Sequence, residues 1–340
     1  MMSLKVITPK QGEHYYQKEN YYSQEESKKN SEWFGRGAQN LGLQGNVEGE
    51  DFTNLVHGQL PSGEKFRTRP PTHDNYKERA GIDCTFSAPK SVSIAALVNG
   101  DERLELAHRE AVKTALTVLE DRYASTRVRI NGQRQAISTQ NLIVGQFHHD
   151  SSREKDPQLH THCVIINATQ TENGKWYSLR DDDIHSHRKL LGQIYQNELA
   201  VRVQKLGYEI EQRDNGLFEI KGYTSEQLKA FSKRREQIKA AAGENATPSE
   251  RELATLQTRK PKGEEVSRSQ LKEYWDLQAK ALDLKSPVVQ IPGKGEGVKG
   301  KGEAESDLRS KGQEERINTT FPFPFNLYPG EADFCKKSIK

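Results

Sequence analysis

The sequence predicts an α+β fold, with a central antiparallel β-sheet and helices packed mainly on one face. Three observations lead there. Two strand-like runs, NLIVGQFHH at 141–149 and LHTHCVIINA at 159–168, are joined by a polar loop containing Pro157, the pattern of an antiparallel hairpin. GIDCTFS at 81–87 alternates Ile82, Cys84 and Phe86 against Asp83, Thr85 and Ser87, the period of a strand with one face in a core. At 102–123, Leu104, Ala107, Ala111, Ala115, Val118 and Leu119 form one apolar stripe at helical spacing.

The elements follow in chain order. Residues 1–30 are polar and tyrosine-rich, and on local sequence alone Tyr15, Tyr16, Tyr21 and Tyr22 read as packing residues of an amphipathic helix. WFGRGAQNLGLQG at 33–45 reads as a glycine turn, one helical turn and a second glycine turn. The strand at 81–87 buries its apolar set, puts Asp83 on the opposite face, and is broken by SAPKS at 87–91. A hairpin is expected around Arg127, Arg129 and Arg134, and a helix over 185–206. Segments 208–210 and 217–220 flank Asp214-Asn215-Gly216, a hairpin turn signal. Thr224 suits the N-cap of a helix carrying Leu228, Phe231 and Ile238. Residues 243–270 are charged and weakly apolar, and 271–284, with Trp275, Leu277 and Leu282, reads as one more helix.

Over 286–312 the character changes to Gly, Lys and Glu without aromatics, and 319–330 carries four prolines or glycines and three phenylalanines. The expected organisation is a folded domain over 1–285 and a disordered linker or tail over 286–340. Within that tail, GEGVKGKG at 295–302 nearly spells a Walker A loop, but it lacks the Ser/Thr and a preceding strand.

Composition excludes several classes. Only 33% of the 340 residues are hydrophobic and the mean hydropathy is −0.90, so part of the length is solvated. The longest largely apolar stretch, 92–98, is far too short to span a bilayer, and no membrane insertion is expected. The polar N-terminus lacks a secretory core segment. Three cysteines are too few and scattered for a disulfide framework or a paired-cysteine zinc site, so a reducing cytoplasm is expected. Lys plus Arg is 51 and Asp plus Glu 48, a net charge of +3. The tail holds nine basic and eight acidic residues, so it does not mask a strongly basic domain. Nucleic-acid binding, if present, depends on where charges sit.

The chemistry-bearing cluster is histidine. His160 and His162 lie two apart in a strand-like run, so both side chains share one face. His149 ends the preceding strand, and an antiparallel hairpin brings it to the same place, whereas His148 alternates away. His-x-His alone is more often incidental than a metal site. The third histidine, placed by hairpin geometry, makes a divalent metal centre the better reading. Asp83 is a natural acceptor for the far N–H of a ligating imidazole, or else an exposed strand residue. A helical zincin needs His-Glu-x-x-His, which is absent, and no Glu follows His-x-His as a cupin pattern would require.

The tyrosine pairs, WFGRGAQNLGLQG at 33–45, DCTFSAPKSVS at 83–93 and HDSSREKDPQLHTH at 149–162 occur in the order seen in conjugative relaxases of the MobF class, the TraI/TrwC type. The chain resembles that family from about residue 1 to 285. The resemblance implies a palm-like fold with a three-histidine (HUH) centre and a helical clamp after about residue 224 that closes over single-stranded DNA. It implies a site-specific single-strand DNA endonuclease and strand transferase acting at a plasmid origin of transfer. Tyr15 would attack the scissile phosphate, giving a 5′-phosphotyrosine bond and a free 3′-hydroxyl. Tyr21 of the second pair would serve a second strand transfer. The spacing between the pairs is slightly short for the family, which leaves Tyr22 and Tyr16 open as alternatives. His149, His160 and His162 match the metal ligands and Asp83 the catalytic aspartate. Mg²⁺ or Mn²⁺ is implied by the resemblance, while three neutral nitrogens favour Zn²⁺ or another later transition metal. Implied partners are origin DNA, relaxosome accessory proteins and a type IV secretion coupling protein. With no complete Walker A motif, unwinding is expected from a separate helicase.

Candidate phosphate contacts are Lys90, Arg127, Arg129, Arg134, Arg153, Lys233, Arg234 and Arg235; taken singly each reads better as a solvated charge, and together they supply local positive charge. Trp33, Trp176 and Tyr177 are candidate stacking surfaces. Two other functions use the same residues: a rolling-circle replication initiator with the same chemistry, and a zinc-dependent hydrolase in which the tyrosines are structural.

Overall fold

The computed structural model describes residues 2–17, 30–66, 78–243, 245–258 and 266–290. Its strands, in chain order, are β1 (Met2–Ile7), β2 (Ser31–Phe34), β3 (Gly81–Ser87), β4 (Ser125–Ile130), β5 (Gln133–Ser138), β6 (Val144–Ser151), β7 (Pro157–Ile166), β8 (Thr169–Gln170), β9 (Trp176–Tyr177), β10 (Ile210–Gln212) and β11 (Phe218–Ile220). Five of them form one sheet in the order β1-β3-β7-β6-β2, with every neighbouring pair antiparallel. The pairs β4–β5, β8–β9 and β10–β11 are separate two-stranded ribbons.

Alternation along the strands divides the core in two. Ile82, Cys84, Phe86, Leu159, Cys163 and Ile165 point into the larger cluster, which includes residues of the helices Lys90–Leu97, Arg103–Tyr123 and Arg188–Lys205. Phe147, Val164 and Ile166 point the other way, into a smaller cluster with Ile7, Trp33 and Phe52. The helix Gly49–Val56 covers that second face. The helix Pro9–Gln17 follows β1 directly and packs on it: a Cβ at Gly12 would lie 2.9 Å from Val56 Cγ1, so glycine permits the approach. The result is the expected α+β architecture, with helices mainly on one face.

The sequence expectations met the structure unevenly. The strand at 81–87 and the long helix fall where the pattern put them. The hairpin loop is shorter than expected, because a bulge between His149 and Ser151 lets Ser151 pair with Pro157. The helix expected over 185–206 is two, Asp182–Ser186 and Arg188–Lys205, separated by His187. Thr224 caps its helix through a reciprocal bond pair with Gln227, but that helix ends at Ala230, and Ile238 lies on a second one, Lys233–Ala242. Asn215, at φ 63, makes the turn between β10 and β11. The strands β1 and β2 and the helix Gly49–Val56 were not anticipated. Trp33 and Phe34, read as the start of a turn, belong to edge strand β2. In the charged stretch after 243, Thr247 and Glu250 form a capping box for the helix Pro248–Gln257. Beyond Lys285 the chain continues against this fold to Gln290, whose N–H donates to the Gly207 carbonyl at 2.8 Å. The near-Walker segment lies outside the described residues. Among the described residues, no helix is long and apolar enough to cross a membrane.

Candidate metal centre

The register of β3, β7 and β6 builds the centre. His149 is paired with His160, and Phe147 with His162, so all three imidazoles stand on the second face of the sheet. Across β7, Thr85 opposes His162 and Asp83 opposes Val164, which sets Asp83 diagonal to His162 on that same face. One ligand nitrogen from each of His149, His160 and His162 lies within 4.8 Å of the others. The ring centroids are 5.1, 5.1 and 5.2 Å apart. An equilateral triangle of nitrogens 4.8 Å on a side has its centre about 2.8 Å from each corner, so the rings close by at most about 0.8 Å to reach usual metal–nitrogen distances.

Hydrogen bonds orient two of the rings. His162 Nδ1–H donates to Asp83 Oδ2 at 2.9 Å, and Thr85 Oγ1 lies 3.1 Å from the same nitrogen. Thr85 in turn donates to Asp83 Oδ1 at 3.2 Å. His160 Nδ1–H donates to the Gln158 carbonyl at 2.8 Å. These bonds put the ring proton of His160 and His162 on Nδ1, so Nε2 is the nitrogen that carries the lone pair a metal needs, the tautomer being assigned by the network. Burial, aided by the neighbouring His162, pushes His160 down to about 3, so its ring is neutral and able to ligate at neutral pH. The donor set, three convergent imidazoles with His160 and His162 held by these bonds, fits a divalent metal.

On the opposite face of β7, between the two histidines, Thr161 joins a buried polar chain that sequence reading missed. His148 Nδ1 and His108 Nε2 lie 2.9 and 2.8 Å from its hydroxyl, and Tyr195 OH lies 2.8 Å from His108 Nδ1. His148 Nε2 reaches Glu32 Oε1 at 3.3 Å, and Glu32 pairs with Lys113 at 3.1 Å. Burial opposes ionisation of Glu32, but the bonds from His148 and Lys113 hold it at about 2. Burial keeps His108 and His148 below the ordinary imidazole value. A carboxylate at one end fixes the direction. Tyr195 donates to His108, His108 to Thr161, Thr161 to His148 and His148 to Glu32. Every member is satisfied, and the strand bearing the ligands is held from behind.

The tyrosines sit at the edge of what is described. Tyr15 and Tyr16 fall near the end of the helix Pro9–Gln17, which lies on the same sheet face as the histidines. Their side chains, and all of Tyr21 and Tyr22, lie outside the described residues.

Of the basic candidates, several point inward. Lys90 is half-buried, donates to the Pro157 carbonyl at 2.7 Å, and is pushed down to about 8 by burial. Arg234 bonds the carbonyls of Thr255 and Thr258 at 2.8 and 3.0 Å, tying its helix Lys233–Ala242 to the next. Lys233 stands 3.6 Å from Asp156 and over the Tyr274 ring. Arg127 pairs with Asp182. Arg129 and Arg134 oppose each other across the exposed end of the β4–β5 ribbon, and Arg153 lies in the histidine hairpin. Arg235 lies on the first turn of its helix. Trp33, offered as a stacking surface, is 9% exposed and packs 6.3 Å from Phe52, so it is core. Trp176 packs against the second cluster and, with Tyr177, forms β9.

Residues 9–282 match the family model described as TrwC relaxase. Two Escherichia coli proteins called multifunctional conjugation protein TraI, one from strain K12, are 43% identical over 274 residues and 41% over 261. Those alignments take in 77% and 74% of this chain but 15% and 14% of the relatives, so the chain spans about one seventh of their length. The metal-bound structure of conjugative relaxase TrwC with oriT DNA has a TM-score of 0.77 at 38% identity, covering 84% of this chain and 100% of that one. A copper-bound complex matches equally. TrwC with a 27-mer DNA comprising the recognition hairpin and the cleavage site has a TM-score of 0.76, with the same identity and coverage.

Proposed function

The chain belongs to the TrwC relaxase family, and from that premise we propose that it nicks one strand of plasmid origin-of-transfer DNA by tyrosine transesterification. The observation that carries this reading is the placement of three convergent histidines on the sheet face that also seats the tyrosine-bearing helix. The relaxase unit runs to about residue 290, where the chain still packs on the fold, and the remainder to 340 is a tail. The similarity to TrwC bound to oriT DNA supports a relaxase over a replication initiator or a hydrolase.

His149, His160 and His162 would hold the divalent ion. When bound, the ion acts as a Lewis acid that offsets charge developing on the non-bridging phosphate oxygens. Asp83, 3% exposed and engaged by both His162 and Thr85, holds His162 in its ligating tautomer. Tyr15 Oη attacks phosphorus and its proton passes to solvent. The bond from phosphorus to the 3′ oxygen breaks, that oxygen takes up a proton, and a 5′-phosphotyrosine remains. Because one phosphodiester replaces another, the reverse reaction reseals the strand without ATP. Tyr21 serves the second transfer. Three neutral nitrogens bind Zn²⁺ or Cu²⁺ more tightly than Mn²⁺ or Mg²⁺, and the latter two occupy the site through cellular abundance. The exposed Arg129 and Arg134 and the clamp after residue 224 contact the DNA. Accessory proteins and a coupling protein act with it in the cytoplasm.

The chemistry of the DNA ends tests this. After reaction of a single-stranded origin oligonucleotide with Mn²⁺ or Mg²⁺, the new 3′ end should be extendable by a polymerase. The new 5′ end should stay closed to phosphatase and kinase labelling even after protease treatment, because a phosphotyrosyl peptide remains on it. A free 5′-phosphate from the outset would identify a hydrolase instead.

A further inference from the structure

Resting on the metal-centre reading above, we infer that the helix Arg268–Ala281 is a latch on the histidine hairpin, with Trp275 a positioning residue for the metal ligands. The hairpin arms carry His149 on β6 and His160 and His162 on β7, and the two arms meet at residues 152–156. That tip is held by groups far away in sequence. Trp275, 1% exposed, donates its indole N–H to the Lys155 carbonyl at 2.7 Å. Lys155 sits at φ 61, a left-handed conformation that glycine favours, and the indole bond fixes the carbonyl that this conformation presents. Arg268, on the first turn of the same helix, reaches Asp150 at 3.2 Å, immediately after His149.

The helix is itself firmly seated. Leu271 and Trp275 belong to the large core, and Lys272 Nζ donates to the Val98 carbonyl at 2.8 Å. It therefore joins the main core to the tip of the ligand hairpin. Docking the helix restricts the tip, and a metal drawing the three rings together restricts the same hairpin from the other end. Two events that order one element favour each other, by the same factor in both directions. Metal binding and docking of this helix are thus coupled, and a segment remote from the ligands sets how tightly the centre holds its ion.

The test uses the full chain and Zn²⁺ alone, titrated against a chromophoric chelator, with hydrogen–deuterium exchange on the same samples. Zn²⁺ should slow amide exchange in 268–281 of the wild type. Trp275→Phe, which keeps an aromatic ring but removes the donor, should weaken Zn²⁺ binding about threefold to tenfold, the worth of one hydrogen bond, and abolish the exchange protection. Arg268→Gln, at a half-exposed position that tolerates change, should weaken binding in the same direction and guards against a misfolded Trp275 variant. Unchanged exchange in 268–281, with Zn²⁺ affinities of both variants within twofold of wild type, overturns the latch while leaving the metal centre standing. No Zn²⁺ binding by the wild type overturns the metal centre and the latch together.

Discussion

Replacing Asp83 with Asn isolates what the carboxylate does for the centre. Asp83 is 3% exposed, and its Oδ2 accepts the His162 Nδ1–H at 2.9 Å. Asn has nearly the same shape, so packing is preserved and only charge and one acceptor change. A hydrogen bond to a charged partner is worth about 1.5–3 kcal/mol against about 0.5–1.5 for a neutral one, a difference near 1–2 kcal/mol. If the amide turns its NH₂ toward the ring, His162 must carry its proton on Nε2 and stops being a ligand. The first route amounts to roughly 5- to 30-fold in metal affinity and the second to more, in line with the 10- to 100-fold loss typical when such a partner is removed. Competition titration of Zn²⁺ at neutral pH, with near-ultraviolet circular dichroism to verify the fold, measures this. An Asp83→Asn affinity within twofold of wild type would refute the argument that this carboxylate sets the tautomer of His162.

Three further outcomes follow from the same contacts. Thr161→Val leaves His108 Nε2–H and His148 Nδ1 without a partner in a buried chain, and urea unfolding should show a loss of about 2–4 kcal/mol, against under 0.5 if the chain is incidental. Lys90, held at about 8 against 10.5 when unfolded, has lost its proton in the folded state between those values while the unfolded chain still carries it. Stability from this group therefore rises with pH across that window, by at most about 1.4 kcal/mol per unit, and the rise should be missing from Lys90→Met. Arg129→Ala or Arg134→Ala should leave thermal stability unchanged and each lower the salt-dependence slope of origin-DNA binding by about one if the residue meets a phosphate; an unchanged slope would remove the ribbon from the DNA interface.

The centre was legible to the extent that strand periodicity determines it. His149, His160 and His162 converge because period two and an antiparallel turn suffice to bring them together. Asp83 was placed on the correct side of its strand by alternation, but the pairing of β3 with β7 that makes it reach His162 is a long-range fact with no local signal. The edge strands β1 and β2 escaped notice for a related reason. They are six and four residues long, and Lys5 of β1 and Glu32 of β2 find their partners only across the sheet, opposite Asp83 and Gln146. Lys90 and Arg234 looked like solvent-facing charges, yet both donate to backbone carbonyls of other elements. The chain from Tyr195 through His108 to Thr161 joins residues 87 and 53 positions apart, a separation that composition and spacing do not encode.

The central claim is covalent chemistry by a tyrosine beside the histidine centre. Peptide mapping by mass spectrometry, after reaction with a cleavable single-stranded origin oligonucleotide and a divalent metal, tests it most directly. The account predicts a nucleotide adduct on Tyr15, lost in His160→Ala/His162→Ala and in Tyr15→Phe. Cleaved DNA with no tyrosine carrying the 5′-phosphate, or an adduct that forms without those histidines, would contradict it.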